Sequence, residues 1–228
     1  MTDQTVNYLI IVGPQGAGKG TQAAAVAPEL SLEHVATGDL FRTILKSESE
    51  LGDEVRKYYD QGALVPDELT IRVLFAHIER LQEEKPSLSG VLLDGFPRNA
   101  AQAASLDEAL AERGESISAV VLIDVPRDEL MKRLTGRLVC SSCGATFHRE
   151  FNAPSKEGIC DKCGGELFQR SDDTPEAVEK RLGIYYEQTE PILDHYREQG
   201  VLVTIDGNRE IDTVAQDILL SLKERVSN

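Results

Sequence analysis

Tyr8-Leu-Ile-Ile-Val12, followed at once by Gly13-Pro-Gln-Gly-Ala-Gly18-Lys19-Gly20-Thr21, is the stretch that decides the fold. A short continuous apolar run that ends in a glycine-rich turn reads as a strand buried on both faces of a parallel sheet. The turn matches the G-x-x-x-x-G-K phosphate-binding loop, in the strand–turn–helix setting which that motif requires. Glycines let successive backbone N–H groups turn inward around a phosphate. The helix opening at Lys19 adds its dipole, and the Lys19 ammonium reaches the β- and γ-phosphates. A plain glycine turn between strand and helix accounts for the glycines but not for a lysine at this offset.

Similar apolar runs recur at 91–93, 119–124 and 201–205, with a weaker one at 34–36, which makes five candidate strands. Helical stretches lie between them at 19–27, 38–46, 51–61, 67–84, 100–113, 127–137, 175–199 and 211–226. This alternation predicts an α/β domain on a doubly wound, five-stranded parallel sheet. Two segments interrupt it: 36–65, with two short helices, and 138–173, rich in Gly, Cys and polar residues. The core is then 1–35, 66–137 and 174–228. Inserts rooted at the carboxyl ends of strands sit where open α/β sheets bind ligands, so both are candidates for moving covers over a site.

Composition narrows the function classes. With 41% hydrophobic and 28% charged residues the chain reads as globular, and nothing approaches the run of about 18 apolar residues that a membrane span needs. The polar N-terminus carries Asp3 and has no secretory pattern, which places the chain in the cytoplasm. A net charge of −15 repels nucleic acid and anionic lipid, and no basic run offsets it. Neither nucleic acid nor membrane is an expected partner. The acidity serves solubility or reflects a salty habitat.

All four cysteines fall in the second insert, as Cys140-x-x-Cys143 and Cys160-x-x-Cys163. The spacing is that of a zinc ribbon. Cytoplasmic thiols stay reduced, so one tetrahedral Zn²⁺ held by four thiolates is preferred to disulfides, and a closed thiolate shell makes the metal structural. His148 is a possible substitute ligand, but the cysteines already satisfy zinc.

Gly20 stands directly after Lys19, where most phosphate-loop proteins carry Ser or Thr for Mg²⁺, and Thr21 follows. With this feature the chain resembles the nucleoside monophosphate kinases, and the adenylate kinases in particular. The resemblance runs through Thr37-Gly-Asp39 with Arg42, Asp94-Gly-Phe-Pro-Arg98 with Gln102, Arg133 and Arg137, Arg170-x-Asp-Asp173, and Arg181. Gln15 departs from the family pattern, where a small residue or Pro is commoner. The resemblance implies a P-loop kinase with an AMP-binding helical insert and a zinc-binding ATP lid, moving a phosphoryl group from Mg-ATP to AMP to give ADP, as a monomer. Implied catalytic residues are Lys19, Asp94, Arg98, Arg133, Arg137, Arg170 and Arg181. Implied ATP contacts are Gly16, Ala17, Gly18, Lys19, Gly20, Thr21, Arg137, Thr146, Phe147 and Arg209. Implied AMP contacts are Thr37, Arg42, Ala63, Leu64, Val65, Gly95, Arg98, Gln102, Arg170 and Arg181. Two assignments keep an alternative: Asp94 as a turn-former instead of an outer-shell Mg²⁺ group, and Phe147 as a core aromatic of the ribbon instead of an adenine contact.

Arginine suits such chemistry because its guanidinium stays charged and grips phosphate with two parallel hydrogen bonds. Within the same chemistry, the alternatives are UMP or CMP as acceptor and GTP as donor. A zinc-ribbon nucleic-acid binder is opposed by the acidic charge. A GTPase switch is opposed by the lack of an Asn-Lys-x-Asp motif and of Ser or Thr directly after Lys19.

Overall fold

The computed structural model describes residues 6–61 and 65–226. Strand β1 (Asn7–Val12) is the middle of a five-stranded, all-parallel sheet with β2 (Leu32–Ala36), β3 (Gly90–Asp94), β4 (Ile117–Asp124) and β8 (Leu202–Asp206), in the order β2-β3-β1-β4-β8. Its apolar run divides with the two-residue period of a strand. Tyr8, Ile10 and Val12 enter one core with α4 (Asp67–Glu84), α5 (Ala100–Glu112) and α8 (Ile192–Glu198). Leu9 and Ile11 enter the other with α1 (Lys19–Glu29), α6 (Arg127–Thr135), α7 (Pro175–Ile184) and α9 (Ile211–Val226). The expected doubly wound sheet is therefore the observed one.

The connections leaving β1 and β3 run to opposite sides of the sheet, which opens a crevice at the carboxyl end of β1. The loop at residues 13–18 lies there. The insert after β2 consists of α2 (Thr37–Lys46) and α3 (Glu50–Tyr59), and the Ser49 hydroxyl caps α3 by accepting from the Gly52 N–H at 3.1 Å.

Three expectations are corrected. The helix expected over 175–199 is broken: α7 passes into a π-turn (Tyr185–Thr189) before α8. Pro191 has no N–H to donate and its ring crowds the carbonyl of the preceding turn. The chain takes in an extra residue ahead of it, and the Glu190 N–H donates five residues back to the Tyr185 carbonyl at 2.9 Å. The helix expected over 127–137 stops at Thr135, and Arg137 already belongs to a strand. Finally, the second insert contains a three-stranded antiparallel sheet of β5 (Arg137–Cys140), β6 (Thr146–His148) and β7 (Leu167–Phe168), ordered β6-β5-β7. Strands this short carry too few residues for their alternation to register in the sequence. Among the described residues, no helix is long and apolar enough to cross a membrane.

Candidate active site

The phosphate loop is held from below. Ala17 is buried in the second core, while Gly16 (φ 87°) and Gly18 (φ 92°) take left-handed backbone that a side chain would strain. Gly20 and Thr21 are exposed at the start of α1. The Lys19 ammonium folds back over the loop and donates to the carbonyls of Gly13 at 2.8 Å and Pro14 at 3.0 Å. Burial lowers its pKa from 10.5 to about 8, against the pull of Asp94 and with the push of the positive charges on Arg98, Arg137 and Arg181. The site is thus set up to receive an anion beside Lys19. The Gln15 side-chain oxygen is buried and has no hydrogen-bond partner among the described residues.

The ends of β2 and β3 form the neighbouring wall. Asp94 closes β3, and its carboxylate stands 3.4 Å from His34 Nε2 on β2. Its carbonyl accepts from the buried Thr37 hydroxyl at 3.2 Å. Beyond Gly95 (φ 85°), Arg98 is pinned from three directions. Its Nε donates to the Gly95 carbonyl at 2.6 Å, its N–H to Gln102 Oε1 at 2.8 Å, and its carbonyl accepts from the Thr189 hydroxyl of the π-turn at 2.7 Å. Gln102 spends its amide group on Asp67, 2.9 Å away. Arg42, exposed on α2, pairs with Asp39. Val65 packs against the first core, and the expected contacts Ala63 and Leu64 lie outside the described residues.

The other arginines come from α6, the second insert and α7. Arg137 Nε and Nη2 grip the fully buried Asp173 at 2.9 and 2.5 Å, and Arg181 Nη1 reaches the same carboxylate at 3.3 Å and Asp172 Oδ2 at 2.9 Å. Nη1 of Arg137 has no partner among the described residues, so the fork is oriented by Asp173 with one edge left over. Arg133 pairs with Glu129 at 3.1 Å and donates to the Gly207 carbonyl at 3.2 Å. Arg209 is held by Asp206 and Asp217, and Arg170 is exposed. Asp94, Arg98, Arg137 and Arg181 all act electrostatically on Lys19, whereas Arg42, Arg133 and Arg209 are each paired with a neighbouring carboxylate and Arg170 is exposed.

In the second insert the four cysteine sulfurs lie within 4.8 Å of one another. The Cys140–Cys163 and Cys143–Cys160 separations are 3.5 and 3.7 Å. These are too long for disulfides. They are close to the sulfur–sulfur distance of about 3.8 Å that a tetrahedron with metal–sulfur bonds of about 2.3 Å has. The thiols divide their protons unequally: the Cys143 N–H, against burial and with the Ser142 N–H, lowers Cys140 to a pKa of about 6, whereas Cys163, despite the Gly165 N–H, is raised to about 12 by the Cys143 and Cys140 thiols beside it. By its distances the donor set fits a metal ion. The Phe147 ring is buried against Cys140, Cys160 and Leu167, so it is a core aromatic of the insert, and Thr146 beside it is exposed.

A profile of the adenylate kinase family matches residues 11–201. The chain belongs to the adenylate kinase family. It is 49% identical over 214 residues to the adenylate kinase of Caldanaerobacter subterraneus subsp. tengcongensis, an alignment covering 94% of this chain and 95% of that one. The adenylate kinase of Carboxydothermus hydrogenoformans is likewise 49% identical, over 95% of this chain and 99% of its own. That of Bacillus cereus strain 03BB102 is 50% identical over 92% and 95%. Membership makes the chain a phosphotransferase of this family.

Reading the sequence alone missed three groups around the site. Asp173 lies inside the Arg170-x-Asp-Asp173 motif, but its burial between two guanidiniums depends on Arg137 and Arg181; an acidic residue sharing a motif with a candidate phosphate-binding arginine is the available signal. His34, beside Asp94, could have been flagged as a polar residue within a strand. Asp67, which fixes Gln102, gave no signal beyond its place at a helix start.

The lowered Lys19 pKa has a measurable consequence. Phosphate oxygens favour the ammonium, so ATP binding at a pH of about 8 should draw a proton from solution, while well below that pH Lys19 is already charged and no uptake is due. Calorimetric titration in two buffers of different ionisation enthalpy measures this directly, and uptake that is the same at both pH values rules the assignment out.

Proposed function

We propose that the chain catalyses the reversible transfer of the γ-phosphoryl group of Mg-ATP to AMP, giving two ADP. One observation carries this reading: Lys19 after β1 and Arg98 after β3 leave the same carboxyl edge of the sheet and act on one another together with Arg137 and Arg181, so several cations meet at one crevice, with Arg42 on the insert that follows β2 at that edge. Phosphoryl transfer calls for little covalent work by the protein; it needs two oxygens brought into line and their charge neutralised. Arg42 and Arg98 hold the AMP phosphate, with Thr37, Ala63, Leu64, Val65, Gly95 and Gln102 about the nucleoside. The backbone of residues 16–21 and Lys19 hold the ATP phosphates, with Arg133, Arg137, Arg170 and Arg181 around the transferring group. Arg209, Thr146 and the Phe147 backbone border the adenine of ATP. Mg²⁺ would enter with ATP and supply neutralisation of phosphate charge, and Asp94 is the residue that would hold it.

The inserts at 36–65 and 138–173 act as the AMP-binding and ATP-lid segments, closing to exclude water that would hydrolyse ATP. In the lid, Cys140, Cys143, Cys160 and Cys163 bind one structural Zn²⁺. Thiols kept as metal ligands fit a reducing cytoplasm, and a monomer suffices because every named group comes from one chain.

The reading is tested by following ADP formation from ATP with AMP, CMP or UMP as acceptor and with GTP as donor. AMP with ATP should be used best; preference for a pyrimidine acceptor would move the chain to a sister activity. Lys19→Met should lower kcat about 10³-fold while the thermal midpoint stays near that of the parent. A loss of less than about tenfold would remove Lys19 from the mechanism.

Zinc removal separates structure from chemistry. A segment as short as the second insert buries little apolar surface, and metal binding supplies the ordering free energy, about 10 kcal/mol in isolated small zinc peptides. Chelation or Cys143→Ser should therefore lower the thermal midpoint and leave most of the activity at low temperature. Activity strictly proportional to zinc content at low temperature would mean that the metal takes part in the reaction.

A further inference from the structure

The last carbonyls of a helix have no partner within it and must find one elsewhere. At the end of α6 the Lys132 carbonyl keeps a local donor, the Gly136 N–H at 3.1 Å, and the proposed lid adds further partners. His148 Nε2 lies 3.1 Å from the Lys132 carbonyl, Gln169 Nε2 donates to the Thr135 carbonyl at 2.8 Å, and the Arg149 N–H donates to the Gly136 carbonyl at 3.0 Å. The Arg149 guanidinium in turn donates to Gln169 Oε1 at 3.0 Å.

His148 is the most constrained member of this joint. Its Nδ1 accepts the N–H groups of Glu150 at 3.0 Å and Phe151 at 3.1 Å, so Nδ1 carries no proton and Nε2–H is the donor to Lys132. The ring stacks on Phe151 with centroids 4.4 Å apart and is only 9% exposed. Gly136 lies against the Nε2 edge of the ring: a Cβ there would stand 2.3 Å from Nε2, so glycine is required by close approach and not by backbone conformation. Both nitrogens are used, and the cysteine cluster contains no histidine among the described residues, which sets His148 apart from the metal. In the β5–β6 ladder His148 is the partner of Arg137, whose charge acts on Lys19.

We propose that His148 is a positioning residue for phosphoryl transfer: it fastens the β5–β6 hairpin to the end of α6 and so fixes where Arg137 stands relative to the phosphate loop. The proposal rests on Arg137 being an ATP-side cation. It does not involve AMP, whose proposed contacts lie on the other insert and after β3.

The experiment compares the zinc-loaded full chain with its His148→Ala, His148→Asn, Gly136→Ala and Gly136→Ala/His148→Ala variants. Steady-state KM for ATP and for AMP, kcat, and the calorimetric Kd for ATP alone are read at a temperature well below each thermal midpoint. Loss of the joint should raise KM and Kd for ATP about tenfold, the scale of one hydrogen bond, with KM for AMP within about twofold. Asparagine keeps an acceptor for the two N–H groups but does not reach Lys132, so His148→Asn should fall between alanine and the parent. Gly136→Ala should reproduce the defect by displacing the ring. The double variant should be no worse than His148→Ala, because the displaced ring is gone. A general loss of fold would instead shift both KM values together. ATP affinity unchanged in both single alanine variants, parallel shifts in both substrates, or additive defects in the double variant each overturn the proposal. Should the parent itself make no ADP from ATP and AMP, the proposed function fails, while the ATP Kd comparison still decides the part played by His148.

Discussion

Gathering several positive charges at one edge of a sheet is the constraint on which the rest of this structure depends. Its cost is visible at Lys19, whose ammonium is held down to a pKa of about 8 by burial and by the cations facing it. The fold supports such a cluster because its members stand on the ends of strands anchored in two cores. β1 gives Ile10 and Leu9 to opposite sides of the sheet, and neither has exposed surface. The loop that follows cannot drift to relieve the repulsion. The arginines are managed differently, each given an internal partner. Asp173 takes Nε and Nη2 of Arg137 and one nitrogen of Arg181, which offsets their charge and aims them at once. A buried carboxylate without these guanidiniums would be costly, so the three residues specify one another's places.

The second insert meets a separate problem, that of a small segment with little to bury. Its core is Cys140, Phe147, Cys160 and Leu167. The sheet β6-β5-β7, the thiol cluster and the contacts to the end of α6 together give it a defined place. Phe147 therefore spends its ring on the insert's interior. On the proposed reading only its backbone remains for the nucleotide.

Much of this was legible in the sequence where a local pattern has one physical meaning. The run 8–21 could hardly be other than a buried strand, a phosphate loop and a helix start, and the cysteine spacing pointed to a thiolate cluster. Five strands were found because central parallel strands are continuous apolar runs. What stayed hidden depends on partners distant in the chain. The helix expected over 175–199 was broken by Pro191, and the resulting π-turn carries Thr189 to the Arg98 carbonyl, a contact across 91 positions. Asp173 reads as one acidic residue among many until Arg137 and Arg181 are seen around it. His148 was weighed as a metal ligand, because residue type and proximity to cysteines are sequence properties while the direction of an imidazole is not.

The central claim is that bound phosphates take over the cations that the ligand-free chain occupies with its own oxygens. A crystal structure with a bisubstrate analogue, two adenosines joined by five phosphates, measures this directly. The account requires Lys19 Nζ to have left the Gly13 and Pro14 carbonyls for phosphate oxygens, with Arg98 at one end of the phosphate chain and Arg137 beside Lys19. Lys19 still bonded to its own loop, with the phosphates held elsewhere, would contradict it.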